Sequence, residues 1–462
     1  MSGSLSEPGN MQLYLPLSDF NAATTLEKSA SRETDSRVNR LDSRDRAFHD
    51  WYRFILSFPP HLVRDYIEGF GLDTGYVVLD PFCGTGTTLV ESKLCRMRAI
   101  GLEANPIAHF ASSVKVDWEI DPDLLTSRAH DIADCALNVL KAQGIDDHQP
   151  FQGGPKDIPL KALDPEATRL LLANSISPLP LHKTLVLLDC LKEHHSERYY
   201  RHTLLALANA LVTTIGNLHF GPEVGVGKPK SNVPVVAAWL VEIEKMTNDL
   251  CLVSGQPYPA AEVYPADARQ ISSVIPPNSV DAVITSPPYP NEKDYTRTTR
   301  LESVVLGFIK SKADLRVLKR TLVRSNTRGV YKGDDDDKWI AGHSEIQRIA
   351  EAIEKRRVEL GKSSGFEKLY GRVTKLYFGG MARHLAELRT VLRPGAQLAY
   401  VVGDQASYLR VMIRTGQLLA DIAQALGYEL VRTDLFRTRF ATATKEQLRE
   451  EVVVLHWAGQ SR

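Results

Sequence analysis

No apolar run in the 462 residues approaches the length of a membrane span, and the N-terminus has no apolar signal core. The nearest candidate, residues 204–218, is interrupted by Asn209, Thr213, Thr214 and Asn217 and reads as a buried helix. Cysteine is scarce: Cys83, Cys95, Cys135, Cys190 and Cys251 are scattered without the pair spacing of a zinc site. That argues against a structural metal and for a reducing, cytoplasmic setting. Net charge is missing as well, since 56 basic residues stand against 56 acidic ones. A nucleic-acid partner would therefore need a local basic face. The length allows two or three domains, or one domain with large insertions.

What is present is organised around Thr285-Ser286-Pro287-Pro288-Tyr289-Pro290-Asn291. Residues 279–284 before it alternate apolar with small or polar side chains and read as a buried strand. Two prolines, each without an N–H, end that strand and hold the residues before them extended. The outcome is a stiff loop at the carboxyl edge of a strand, where open α/β sheets bind ligands. It offers the Ser286 hydroxyl, carbonyls with no neighbouring N–H, and the aromatic face of Tyr289. A planar base bearing an NH2 group needs such acceptors and such a surface. The stretch resembles the catalytic motif of the DNA amino-methyltransferases, which methylate the exocyclic nitrogen of cytosine or adenine. The resemblance implies catalytic roles for Ser286, Pro287, Pro288 and Tyr289.

Residues 76–80 are rich in β-branched side chains and are expected to form a first buried strand. A loop follows in which Gly84 and Gly86 permit a tight turn ahead of a helix N-terminus. Leu89 occupies the place of the third glycine of the dinucleotide fingerprint, so that motif is incomplete. Asp-Pro-Phe-Cys-Gly-Thr-Gly-Thr-Thr, residues 80–88, is instead similar to the S-adenosylmethionine loop of the same family. That similarity implies Asp80 facing the cofactor's ammonium group, Phe82 near the sulfonium, and Phe58 of a Phe-Pro segment against the methionine end. Glu103, at the end of the strand 99–102, is placed to hold ribose hydroxyls. Asp267 matches the family's acid that contacts the adenine ring.

Six stretches follow from this reading: a mobile arm (1–45), a first core segment (46–116), a helical insertion (117–258), a second core segment with the catalytic loop (259–295), a basic insertion (296–365) and the last core segment (366–462). In the first insertion helices are expected over 122–141, 164–173, 200–218 and 234–252, serving as a target-recognition domain or a lid over the cofactor site. Residues 221–228 suggest a phosphate loop, but Pro222 and Pro229 break its spacing. His194, His195 and His202 read as a solvated helix face rather than a metal site. In the basic insertion Arg297, Arg300, Lys319, Arg320, Arg324 and Arg328 are expected to contact DNA phosphates. A helix over 366–392, a strand over 397–404, a helix over 416–426 and strands over 428–434 and 451–457 complete the pattern. Together they predict a Rossmann-like, doubly wound α/β fold with a mostly parallel sheet of about seven strands.

Methylation of cytosine C5 needs a cysteine nucleophile, typically after proline, and no cysteine here follows a proline. Serine in the first position of the catalytic motif resembles the N4-cytosine enzymes, whereas aspartate is usual for N6-adenine. The expected reaction is direct methyl transfer from S-adenosylmethionine to N4 of a cytosine flipped out of duplex DNA, in a restriction–modification or defence setting with a cognate nuclease. N6-adenine methylation, an RNA substrate, and a catalytically silent nucleic-acid-binding module are the alternatives. All versions of the active site require the loops bearing Gly84 and Tyr289 to meet at one edge of the sheet.

Overall fold

Val77–Asp80 (β1) is buried along its whole length, as a β-branched run in the middle of a sheet should be. The computed structural model describes residues 45–52, 57–149, 159–220, 224–290, 294–441 and 446–459, all within the unit Asn39–Arg462. Residues 1–44 of the expected N-terminal arm and residues 221–223 of the phosphate-loop lookalike lie outside the described residues. In chain order the other strands are β2 (Arg98–Leu102), β3 (Leu218–Phe220), β4 (Val224–Val226), β5 (Ala261–Tyr264), β6 (Val280–Thr285), β7 (Leu392–Gly403), β8 (Glu429–Ala441) and β9 (Glu446–Trp457). The helices are α1 (Pro60–Gly69), α2 (Thr87–Leu94), α3 (Pro106–Lys115), α4 (Pro122–Ala142), α5 (Pro165–Thr168), α6 (Pro178–Lys192), α7 (Tyr200–Ala210) and α8 (Val235–Val253). They continue as α9 (Tyr295–Thr298), α10 (Arg300–Val305), α11 (Lys312–Thr321), α12 (Ser344–Glu359), α13 (Tyr370–Leu388) and α14 (Thr415–Ala425).

Seven of the described strands form one sheet in the order β5-β2-β1-β6-β7-β9-β8. The pairs from β5 to β7 are parallel, and β9 runs against both of its neighbours. The chain moves outward from β1 through β2 to β5, then returns to place β6 on the other side of β1. The order reverses between β1 and β6, and ligands of doubly wound sheets bind in the crevice outside such a switch point. Apolar residues of α1 pack on one face with Val78, Ile284 and Val401. Those of α13 and α14 cover the other with Leu79, Val283 and Leu398. The expected α/β fold is therefore observed.

The differences from expectation are local. Helix α5 ends after four residues, whereas 164–173 was expected to be helical. Helix α6, the β3–β4 ribbon and the short edge strand β5 were not anticipated; β5 and the ribbon strands are too short to carry a period. Strands β8 and β9 are longer than expected and pair as an antiparallel hairpin at the sheet's far edge. Cys135 and Cys190, far apart in sequence, face each other as free thiols across α4 and α6. His202 is buried, not solvated: its Nε2 lies 3.0 Å from the Asp117 carbonyl and its ring meets Trp51 edge-on.

Helices α4, α6, α7 and α8 fill the first insertion, and their core is continuous with that of α2 and α3. Trp239 sits at its centre and donates to the Thr203 carbonyl at 2.9 Å. Asp147 accepts from the N–H groups of Val235 and Val236 at 2.9 and 3.0 Å, capping α8 against the helix dipole.

Candidate functional site

Asp80 ends β1, and its neighbour in space is the end of β6, because Val78 pairs with Ala282 and Leu79 with Val283. The Thr285 hydroxyl donates to Asp80 Oδ1 at 2.6 Å, and the Phe82 N–H donates to the same oxygen at 3.0 Å. One carboxylate thus ties together the two loops singled out in the sequence. Asp80 Oδ2 is buried with no hydrogen-bond partner among the described residues. Such an oxygen calls for a donor from a ligand or water. Burial pushes the Asp80 carboxyl up to about 6, against the bonds from Thr285 and the Phe82 N–H that favour the ionised form.

The loop after β1 turns through left-handed backbone at Gly84 and Gly86, with φ of 51° and 87°. At Gly86, a Cβ would also come within 3.1 Å of Ser112 Cβ on α3. Glu103, at the end of β2, accepts from the Gly84 N–H at 2.9 Å and the Asn105 N–H at 2.7 Å. Burial raises its carboxyl to about 7 despite those bonds. The Phe82 ring packs edge-on against His384 at 4.9 Å between centroids. His384 bridges the Ala268 carbonyl and the Tyr400 hydroxyl at 2.9 and 2.7 Å, and burial lowers it to about 4, so it holds the ring as a neutral imidazole. Phe58 lines a cleft beside this loop. Asp267 follows β5, but its carboxylate is engaged by Arg269, whose Nη2 lies at 2.7 Å. Any adenine contact there has to share that carboxylate.

On the other side of the switch point, β6 ends at Thr285 and the prolines follow. The Ser286 hydroxyl donates to the Val401 carbonyl at 3.2 Å, which leaves its oxygen lone pairs as acceptors. Pro287 is buried and Pro288 half-buried. The half-buried Tyr289 ring rests on the backbone of Gly403 at the end of β7: a Cβ at Gly403 would lie 2.8 Å from it. The structure therefore brings Asp80, Phe82, Gly84, Gly86 and Glu103 to the same edge of the sheet as Ser286 and Tyr289. Sequence reasoning quoted Thr285 and Gly403 but gave neither a part in the site. Neither residue type signals its contact without the strand pairing.

The basic residues divide. Arg324 is only 4% exposed, and its guanidinium binds Asp334 at 2.8 and 2.9 Å and the Lys319 carbonyl at the end of α11 at 2.8 Å. It closes a helix end and is withdrawn from the phosphate-contacting set. Lys319 is paired with Asp294 at 3.0 Å, and Arg300 bonds the Thr296 and Leu170 carbonyls at 2.8 and 3.2 Å. Arg297 is half-buried, with its Nε lacking a hydrogen-bond partner among the described residues. Arg320 and Arg328 are exposed, the former stacked 5.6 Å from the Tyr331 ring. Arg324→Ala is expected to destabilise the protein by about 3–5 kcal/mol, the effect of stranding one member of a buried pair. An unchanged melting temperature would contradict this assignment.

A family model described as DNA methylase matches residues 24–111, which include β1, its loop and β2. The chain is 24% identical to the Type II methyltransferase M.BsoBI of Geobacillus stearothermophilus, over 88% of its own length and 84% of the relative's. It is 28% identical to the Type II methyltransferases M.AvaI of Nostoc sp. (strain PCC 7120 / SAG 25.82 / UTEX 2576) and of Anabaena variabilis, over 32% of the chain and 31% of each relative. No helix of the described residues is long and apolar enough to cross a membrane. Fold and loop chemistry agree with these similarities: the chain is similar to DNA methylases and to Type II methyltransferases.

Proposed function

We propose that the protein transfers a methyl group from S-adenosylmethionine to the exocyclic N4 of a cytosine in duplex DNA, the base being flipped into the pocket beside Tyr289. The observation that carries this reading is the Thr285–Asp80 hydrogen bond of 2.6 Å, which fixes the donor-side and acceptor-side loops in one crevice. The fit of the cofactor is supported by the partnerless Asp80 Oδ2, which can accept from its ammonium group. When bound, S-adenosylmethionine supplies a methyl carbon made electrophilic by its sulfonium.

The chain's own residues prepare the nucleophile. An exocyclic amino nitrogen is poorly nucleophilic while its lone pair is delocalised into the ring. Ser286 Oγ, oriented by its bond to Val401, and the Pro287 carbonyl accept from the amino hydrogens and favour a more tetrahedral nitrogen. Flipping costs a few kcal/mol, and stacking on Tyr289 returns about 1–3 kcal/mol. The polar contacts and the grip on the backbone make up the difference. Transfer needs no covalent enzyme intermediate.

Serine at position 286 supports cytosine over adenine, and the relatives' Type II designation supports a restriction–modification setting with a cognate nuclease. Digestion of the methylated DNA to nucleosides should yield N4-methylcytosine; N6-methyladenine would reverse the base assignment and leave the reaction class intact. Duplex DNA should outcompete structured RNA in a tritiated-methyl assay. Arg320 and Arg328 remain exposed for phosphate contact. Alanine at either should lower the salt dependence of DNA binding by about one counterion without shifting the melting temperature. Unchanged salt slopes in both variants would move the DNA path elsewhere.

A further inference from the structure

Strand β7 ends at Gly403, the seat of the Tyr289 ring, and a loop over residues 404–414 follows before α14 begins. Because β7 runs parallel to β6, this loop leaves the sheet at the edge where the prolines stand. Its neck is closed twice. Gln405 and Ile413 exchange main-chain hydrogen bonds of 3.0 and 2.7 Å. Buried Asp404 accepts from Arg414 Nη1 at 2.5 Å and from Arg449 Nε at 3.1 Å. Within the loop, Tyr408 is buried, with its ring 4.6 Å from that of Tyr370 and its hydroxyl donating to the Ser325 carbonyl at 3.4 Å.

Beyond that anchor, Leu409 and Arg410 both take left-handed backbone, with φ of 57° and 66°, the one consecutive non-glycine pair of this kind among the described residues. Such backbone is strained for both side chains and unstrained for glycine. Strain of this sort persists where the surroundings enforce it, and it gathers at ligand-binding sites. Here the closed neck and the Tyr408 anchor enforce it, and Arg410 stands exposed on the turn. Arg414 and Arg449 are engaged by Asp404, whereas Arg410 forms no ion pair among the described residues. A turn alone does not call for arginine at this position. A guanidinium held out beside the base crevice suits a backbone phosphate, to which it can offer two parallel N–H groups. The Tyr408–Ser325 bond also ties the loop to the segment that leads to exposed Arg328.

We propose that the loop over 404–414 grips the DNA backbone beside the extruded base, with Arg410 donating to a phosphate. This inference rests on the function proposed above. Titration of the full-length protein with a fluorescently labelled, random-sequence duplex over a series of salt concentrations tests it. Arg410→Gly should bind roughly tenfold more weakly, the loss of one hydrogen bond to a charged group, with a salt slope lower by about one. Its melting temperature should not fall, because glycine takes the left-handed backbone without strain. Arg410→Gln, which keeps the strained backbone and drops only the charge, should lose the same slope, and Arg410→Lys should retain it. Affinity for S-adenosyl-L-homocysteine, read by calorimetry, should stay within a few-fold of wild type in all three. Wild-type affinity and salt slope in folded Arg410→Gly or Arg410→Gln would overturn the proposal. Failure of the wild type to bind duplex DNA even at low salt would instead remove the DNA reading on which it rests.

Discussion

Alanine at both Ser286 and Tyr289 is expected to reduce methyl transfer by a factor on the order of 10³–10⁵ while leaving S-adenosylhomocysteine affinity within a few-fold of wild type. Under the proposed function Tyr289 is the stacking surface, and its ring rests on the Gly403 backbone. Loss of one base-stacking partner is about 1–3 kcal/mol, or roughly ten- to a hundredfold. Under the same proposal Ser286 is an acceptor, held in place by its bond to the Val401 carbonyl. Removing one such preoriented polar group typically costs about 10²–10³ in rate. The two residues act on one base, so the combined loss can fall short of the product. Single-turnover transfer of a tritiated methyl group measures the first quantity and calorimetry the second. Near-normal turnover, or an equal collapse of cofactor affinity, would show that these residues do not form the base pocket.

Asp80→Asn is expected to do two opposite things at pH 8: raise the melting temperature and weaken cofactor binding by roughly a hundredfold. The first effect follows from the direction of the titration. The Asp80 carboxyl lies at about 6 in the folded protein, against about 3.9 in an unfolded chain. A group raised in this way favours the folded state fully below the unfolded value, and that contribution is lost as pH rises through 4 to 6. At pH 8 the buried charge costs up to about 3 kcal/mol, at 1.36 kcal/mol per pKa unit. Asparagine removes the charge and keeps the shape. Its stabilising effect should therefore vanish as pH falls toward 4. Binding runs the other way, because an ammonium-bearing ligand prefers the ionised form. Wild-type affinity should start to fall near pH 7, where Glu103 takes up a proton. Below about pH 6, Asp80 should add a further tenfold loss per unit. A variant that is less stable than wild type at pH 8, or whose affinity is unchanged, would contradict the placement of Asp80.

Much of this architecture could be read from the chain because the informative segments are short, buried and terminated by residues with one conformational use. The run ending at Asp80, the positive-φ glycines of its loop and the prolines after Thr285 each limit the backbone to few options. What escaped was contact between distant segments. Nothing near Thr285 says that its hydroxyl meets Asp80, 205 positions away. Nothing in the basic stretch distinguishes Arg324, which closes a helix end, from Arg328, which faces solvent. Charge patterning records the density of cations; only the fold records which of them Asp334 and Asp294 neutralise. The short edge strand β5 was overlooked because four residues cannot display a period.

The uninterrupted core that α4, α6, α7 and α8 share with α2 and α3 bears on how this enzyme can be re-engineered. The stretch from 117 to 258 is no detachable cassette: cutting it out would uncover α3, which packs on α7 and whose buried Ile107, Ala111 and Val114 belong to the same core. A chimera built to change sequence preference by exchanging that stretch would have to bring a matching floor for those residues, or forfeit the loop that precedes them.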